Sequence, residues 1–393
     1  MVLVFLLIFL FVILQTQLSI IDNKFINKNS NLFLNTTFII LLIVLSFRSH
    51  IGVDFASYLF VLEGAINKKF FSYIQEYKYS DLGYYIINWI GANSIGPEKF
   101  IPTNHHYSGI FLVNFFCISV YLCGIFVFIK DYKNKFLALL IFLPYLLFVV
   151  STAYTRQATS LGFILIAFYF FKNQKLFQGT LMCLCSILFH KTAILVIPFF
   201  ILFFDYYFIK KSVIFIIIFL IAIILNINLV NKFFIEQIIP KLNILQNENI
   251  SSNGFQIRLF MNLIPSLFFL LYFKQFKFLK QKELNFWKAI SISIICIFFI
   301  QNLINSTILD RSLLMLSIIQ PFVITNIPYL FSNNAVDRFI ITGSIIFLYF
   351  NIFLVWFLFG IHSYSYSNYK FLDLEIPDLN RPFFSNLSDF YDK

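Results

Sequence analysis

Charged side chains are scarce in this chain: Asp, Glu, Lys and Arg make up 12% of 393 residues, against about a quarter in soluble domains. That scarcity excludes an ordinary soluble globular class. There is no Asp-x-Asp, no His-x-x-His and no Walker loop, so neither a metal-centred site nor ATP-driven transport is expected, and no cofactor is implied. The few cysteines, Cys117, Cys123, Cys183, Cys185 and Cys296, lie in apolar runs without metal-ligand or paired-loop spacing, and are expected to be core residues. No basic run is interleaved with aromatics in a soluble segment, so the net charge of +11 does not point to nucleic acid. The first apolar run lacks a basic n-region and a small-residue cleavage site, which predicts a retained helix rather than a signal peptide. No solenoid period is visible.

What the chain has instead is apolar length. It is 60% hydrophobic with a mean hydropathy of +0.84. Uncharged runs cover residues 1–21, 31–47, 107–129, 136–155, 157–171, 176–189, 192–204, 212–231, 259–273, 289–309, 312–336 and 339–361. At roughly 20 residues per crossing, these predict an all-α polytopic membrane bundle of about twelve transmembrane helices. The bundle is expected to occupy residues 1–362, interrupted by a long first loop over 48–106. Within that loop, an amphipathic or re-entrant helix near 82–93 is expected to hold aromatic rings at headgroup depth. Residues 363–393 form a polar, acidic tail expected to be poorly ordered.

Alternating the loops sorts the basic residues by type. One side collects Lys24, Lys28, Lys130, Lys133, Lys135, Lys172, Lys175, Lys210, Lys211, Lys274, Lys277, Lys280, Lys282, Lys288 and Arg338. Short lysine-rich loops mark the cytoplasmic face. The other side holds both termini, all five histidines and five of the six arginines: Arg48, Arg156, Arg258, Arg311 and Arg381. Lysine satisfies a topology signal, whereas arginine on the opposite face calls for a second explanation. Bidentate recognition of phosphate or carboxylate is one.

Several of these residues are candidates for chemistry, each with a plainer reading beside it. The runs on either side of Arg156 and His190 are short for a bilayer, so both residues either sit below the surface or snorkel to it. His190 suits a general base or a hydrogen-bond donor to a sugar or phosphate; a solvated loop histidine is the plainer alternative. Asp54, just outside the second helix, suits a proton acceptor, an arginine partner or a helix cap. The adjacent Asp310 and Arg311 are placed to neutralise each other. Arg258 opens another helix at the same face. Converging guanidinium groups would hold a diphosphate through charge-assisted hydrogen bonds and stabilise it as a leaving group.

The stretch Arg48…Gly52-Val53-Asp54…Tyr58 resembles the R-x-x-x-G-x-D-x-x-x-Y segment of EpsG-type proteins, relatives of the Wzy O-antigen and capsule repeat-unit polymerases. Tyr154-Thr155-Arg156-Gln157 followed by Leu188-Phe189-His190-Lys191-Thr192-Ala193 is similar to the R-Q…F-H-x-[ST]-A pair of the same family, and Arg311 to its third basic position. Two departures stand out: Asp81 occupies a position where the family often has Glu, and the Arg311 segment lacks an expected tyrosine. The resemblance implies a metal-independent, glycosyltransferase-type polymerase, distantly GT-C-like, acting on polyprenyl-diphosphate-linked oligosaccharides. It would work in a bacterial cytoplasmic membrane with its site facing outward, with a chain-length regulator as a further candidate partner. His190 and Asp54 are then the expected catalytic residues. Arg48, Arg156, Gln157, Arg258, Arg311 and Tyr58 are the expected diphosphate- and sugar-binding residues. The rivals are a GT-C transferase using a polyprenyl-monophosphate sugar and a lipid-linked oligosaccharide flippase; the flippase calls for charges deep in several helices, of which Asp205 is the clearest candidate.

Overall fold

The computed structural model describes residues 2–20, 24–49, 51–52, 54–76, 81–94, 109–204, 252, 254–360, 363–366 and 370–371. Two helices, α1 (Val2–Ile20) and α2 (Lys24–Ser46), lead to a two-residue strand β1 (Arg48–Ser49) and three short helices, α3 (Phe55–Glu63), α4 (Phe70–Glu76) and α5 (Leu82–Ser94). Then come α6 (Gly109–Ile129) and α7 (Lys135–Phe142), the latter continued by π-helical Leu143–Val150 and a closing turn α8 (Ser151–Ala153). Next are α9 (Thr155–Lys172), α10 (Leu176–Phe189) and 3-10 turns over Lys191–Leu195 and Ile197–Phe203. The described chain resumes with α11 (Phe255–Tyr272), α12 (Gln281–Ile300), α13 (Ser306–Leu316), α14 (Ile319–Phe331), α15 (Ala335–Phe359) and β2 (Lys370–Phe371).

This is an all-α polytopic membrane protein. Six helices among the described residues are long and apolar enough to cross a membrane, or up to seven if the bent pair α13 and α14 is one span. The expected number of about twelve is not reached on that measure. The shortfall lies in α1, α9, α10 and the 3-10 stretch, which are shorter or more polar, and in run 212–231, which is outside the described residues along with Asp205.

The span Lys135–Ala153 is the axis of the bundle: 94% of its window is buried, against 28–56% for the others. It starts on a cap, the Asn134 side chain accepting from the Leu137 amide, and Pro144 opens its π-helical part. Aromatic contacts knit the neighbours together. Phe128 of α6 meets Phe168 of α9 edge-on at 5.7 Å, and Trp287 of α12 stacks on Phe322 of α14 at 3.9 Å. Large side chains on the outside, such as Phe299 and Phe347, are exposed, as expected where lipid rather than water is the solvent and packing, not hydrophobic burial, joins helices. Cys117 and Cys183 are core residues as expected, whereas Cys123 and Cys296 are exposed.

Basic residues separate to the two ends as the loop alternation predicts. At one end Lys172 pairs with Glu283 at 3.6 Å, Lys282 donates to the Phe203 carbonyl at 2.9 Å, Lys135 donates to Asn31 at 2.8 Å, and Lys133 and Arg338 share the Tyr329 ring. The other end holds Arg48, Arg156, Arg258 and Arg311. Two expectations for this end change. The helix near 82–93 exists as α5, but Tyr84 and Tyr85 are buried against protein rather than presented to headgroups. The tail is ordered in part: β2 pairs antiparallel with β1, Arg48 opposite Phe371, and buried Tyr366 packs edge-on against Trp356 at 4.8 Å. Residues 372–393, with Arg381, lie outside the description.

Candidate functional site

The arginine end is built around a break. The axial helix stops at Ala153, Tyr154 adopts a non-helical conformation (φ −116°, ψ 52°), and α9 begins at Thr155. A helix interrupted this way leaves carbonyls and amides without intrahelical partners, and here side chains satisfy them. Tyr58 donates to the Ala153 carbonyl at 3.0 Å and accepts from the Thr155 amide at 3.1 Å. Arg48, only 1% exposed, donates to the Leu45 carbonyl, the Ser151 carbonyl at 3.2 Å, the Thr152 carbonyl at 3.4 Å and Thr155 Oγ1 at 3.0 Å. Tyr366 lies 3.3 Å from Thr152 Oγ1. Gly52 makes the approach possible: its φ is +89°, and a Cβ there would lie 2.8 Å from the Thr152 carbonyl oxygen. Arg48 and Tyr58, both expected at the substrate, thus have their donors turned onto backbone beneath the break.

Beside the break, α9 presents Arg156 and Gln157, and the α10 corner presents His190. Arg156 pairs with Asp81 at 2.9 Å, and its guanidinium lies 5.7 Å from the centre of the Tyr84 ring. Asp81 also accepts the Lys191 amide. Its position follows from α5, which it opens by accepting the Tyr84 amide through its own carbonyl at 2.9 Å. Gly83 lets α5 lie directly on the end of α10, since a Cβ there would meet the Phe189 ring at 2.8 Å. Burial raises the Asp81 carboxyl above its usual range, with Arg156 and Lys191 pulling it back. In the sequence Asp81 stands out only as a departure from a pattern; its acidic side chain just before an aromatic helix is the available signal.

His190 ends α10 and caps the 3-10 turn that follows, its Nδ1 accepting the Thr192 amide at 3.3 Å and meeting Thr192 Oγ1 at 2.7 Å. An Nδ1 that accepts puts the ring proton on Nε2. That atom lies 3.3 Å from the Gln157 side-chain amide, which satisfies an N–H when its oxygen faces the ring. Burial, followed by the charges of Arg156, Arg311 and Lys191, pushes the imidazole down to about 3. His190 is therefore a neutral ring with an N–H on the Gln157 side, a poor proton acceptor at neutral pH.

Arg258 and Asp310 form a second cluster. Arg258 meets both carboxylate oxygens, Nη2 to Oδ2 at 2.9 Å and Nε to Oδ1, and donates to Ser252 Oγ at 2.8 Å. Ser252 in turn donates to Asp310 at 2.9 Å. The expected neutralisation of Arg311 by its neighbour Asp310 does not occur, because the bidentate partner is Arg258. Arg311 is exposed on α13, a helix that packs against the 191–195 turn, and its charge reaches both His190 and Tyr154. Asp54 occupies the N-cap position of α3 but makes no side-chain cap hydrogen bond, and its charge reaches Tyr58, Tyr154 and Tyr366. The structure thus brings Arg156 with Asp81 and Gln157 with His190 at one end, where the charges of Lys191 and Arg311 also act on His190 and those of Asp54, Asp310, Arg258 and Arg311 act on Tyr154, and it turns Arg48 and Tyr58 onto the break itself. Among the described residues, no three His, Cys, Asp or Glu side chains gather as a metal site would require.

A family model described as the EpsG family matches residues 31–371, most of the chain and every residue of this cluster. No curated protein and no solved structure matches.

Proposed function

The chain belongs to the EpsG family, and from that premise we propose that it polymerises polyprenyl-diphosphate-linked oligosaccharide repeat units into surface polysaccharide. Family membership by itself supports a polysaccharide-polymerase type of role; the substrate and the residue roles are this proposal's own. The observation that carries it is the convergence of Arg156, Lys191 and Arg311 on one histidine, with no carboxylate paired to Arg311 among the described residues. A site with more cation than anion, at the rim of a membrane bundle, suits a lipid-linked diphosphate.

In this reading, Arg311, Arg156 and Lys191 hold the donor's diphosphate. A hydroxyl of the acceptor sugar attacks the donor's anomeric carbon; its C–O bond forms as the bond from that carbon to the diphosphate oxygen breaks. The diphosphate leaves on its polyprenyl chain, its growing charge met by the guanidinium groups. The hydroxyl proton passes to Asp54. His190 donates from Nε2 rather than accepting, orienting Gln157 or a substrate oxygen. Arg258, tied to Asp310, fixes the rim and keeps Asp310 from quenching Arg311. Arg48 and Tyr58 are positioning residues for the break. With the lysine end in the cytoplasm, as the positive-inside bias favours, the arginine cluster lies at the outer face of a bacterial cytoplasmic membrane.

The test is deletion of the gene and complementation with Arg156→Ala or Arg311→Ala, with surface polysaccharide resolved on a gel. Polymerisation predicts single-repeat material in place of long chains in the null and in both variants. Loss of all surface polysaccharide in the null, single-repeat material included, with lipid-linked units held inside the cell, would transfer the assignment to a flippase. Loss of one sugar from an otherwise full-length chain would transfer it to a transferase using a polyprenyl-monophosphate donor.

A further inference from the structure

Tyr154 has no task in the transfer step, although the site is built around it. Three side chains, Arg48, Tyr58 and Tyr366, bond to the turns on either side of it. The residue is 37% exposed, and among the described residues its side chain makes no ring contact and no hydrogen bond. A tyrosine at a membrane surface commonly serves as an interfacial anchor. An anchor does not need a broken helix, a buried arginine and a glycine at φ +89° to hold its backbone. Those features present one aromatic face in a fixed place, two residues before Arg156.

The surroundings specify what that face meets. The charges of Asp54, Asp310, Arg258 and Arg311 all act on the Tyr154 hydroxyl, and Gln157 follows it on the first turn of α9. An aromatic face bordered by carboxylates and an amide complements a pyranose, which carries C–H groups on its faces and hydroxyls at its edge. Resting on the reading of the preceding section, we infer that Tyr154 is the stacking platform for the acceptor sugar, holding its attacking hydroxyl between Asp54 and the diphosphate seat.

The experiment uses the purified full-length chain, lipid-linked repeat units extracted from host cells lacking the gene, and geranylgeranyl diphosphate as a probe of the diphosphate seat alone. Tyr154→Ala is expected to slow polymer formation about tenfold at limiting repeat units, with recovery as their concentration rises and with unchanged binding of geranylgeranyl diphosphate. Tyr154→Trp and Tyr154→Phe retain a face and are expected to stay within a fewfold of the parent. Tyr154→Leu guards against a folding artefact: it is expected to behave as alanine while unfolding at the parent temperature. Wild-type rates in Tyr154→Ala would overturn the platform, as would a parallel loss of geranylgeranyl diphosphate binding, which would make the residue a support for Arg156. If the parent chain itself forms no polymer, the polymerase reading fails and takes the platform with it; a polymerising parent with an indifferent alanine variant removes the platform only.

Discussion

His190 shows how local bonding redirects a residue's chemistry. Its Nδ1 accepts the Thr192 amide, and its conjugate acid is pushed from 6.5 down to about 3 by burial and by three nearby cations. The unfolded chain takes up a proton near 6.5 and the folded chain only near 3. Stability contributed by this group is therefore complete above 6.5 and falls as pH is lowered through that window. Thermal unfolding in detergent should accordingly show a steeper loss on acidification for the parent than for His190→Gln, and the rate profile should lack a histidine limb between about pH 6 and 7. Equal slopes in both proteins would place the imidazole in solvent. Asp81 carries a second prediction at this scale. Asp81→Asn keeps an acceptor for the Lys191 amide but releases Arg156; because Arg156 is partly exposed, a loss of only about 1 kcal/mol of stability is expected, with a larger effect on polymer formation in the gel assay.

At the scale of elements, the broken axial helix organises the site. Its carbonyls at Ser151 and Thr152 depend on the Arg48 guanidinium fork, so Arg48→Met should cost about 3 kcal/mol or more in an unfolding measurement, and Arg48→Lys should rescue little because a point charge does not reproduce the fork. Gly52→Ala meets both a left-handed backbone and the Thr152 carbonyl, and about 1–3 kcal/mol of destabilisation is expected. A parent-like unfolding temperature in either variant would contradict the clamp. The helices and the two-ended charge pattern are legible in the sequence because hydropathy and loop lysines are local quantities. Arg156, His190 and Arg311 are legible as one group through their shared end. The partner choices are not: that Asp310 serves Arg258 rather than Arg311, and that Arg48 and Tyr58 face backbone, depends on a helix break whose carbonyls appear only once the chain is folded. The ordering of Lys370–Phe371 by Arg48–Ser49 is hidden for the same reason, since strand pairing over such a separation leaves no local signal.

At the scale of the whole molecule, the protein is a bundle with chemically distinct ends: lysines pair with Glu283, Asn31 and aromatic rings at one, and arginines cluster with Asp81 and Asp310 at the other. Single cysteines placed at Gln174 and at Asn302 in a chain freed of native cysteines should label from opposite sides of intact cells, Asn302 from outside; the reverse pattern would turn the arginine cluster to the cytoplasm and remove its access to exported substrate. The arginine cluster's role as a diphosphate seat is tested most directly by titrating geranylgeranyl diphosphate into the purified chain and into Arg311→Ala. Affinity is expected to weaken about tenfold or more in the variant, with geranylgeraniol, which lacks the diphosphate, binding both proteins alike. Equal affinity of parent and variant for the diphosphate would contradict that role.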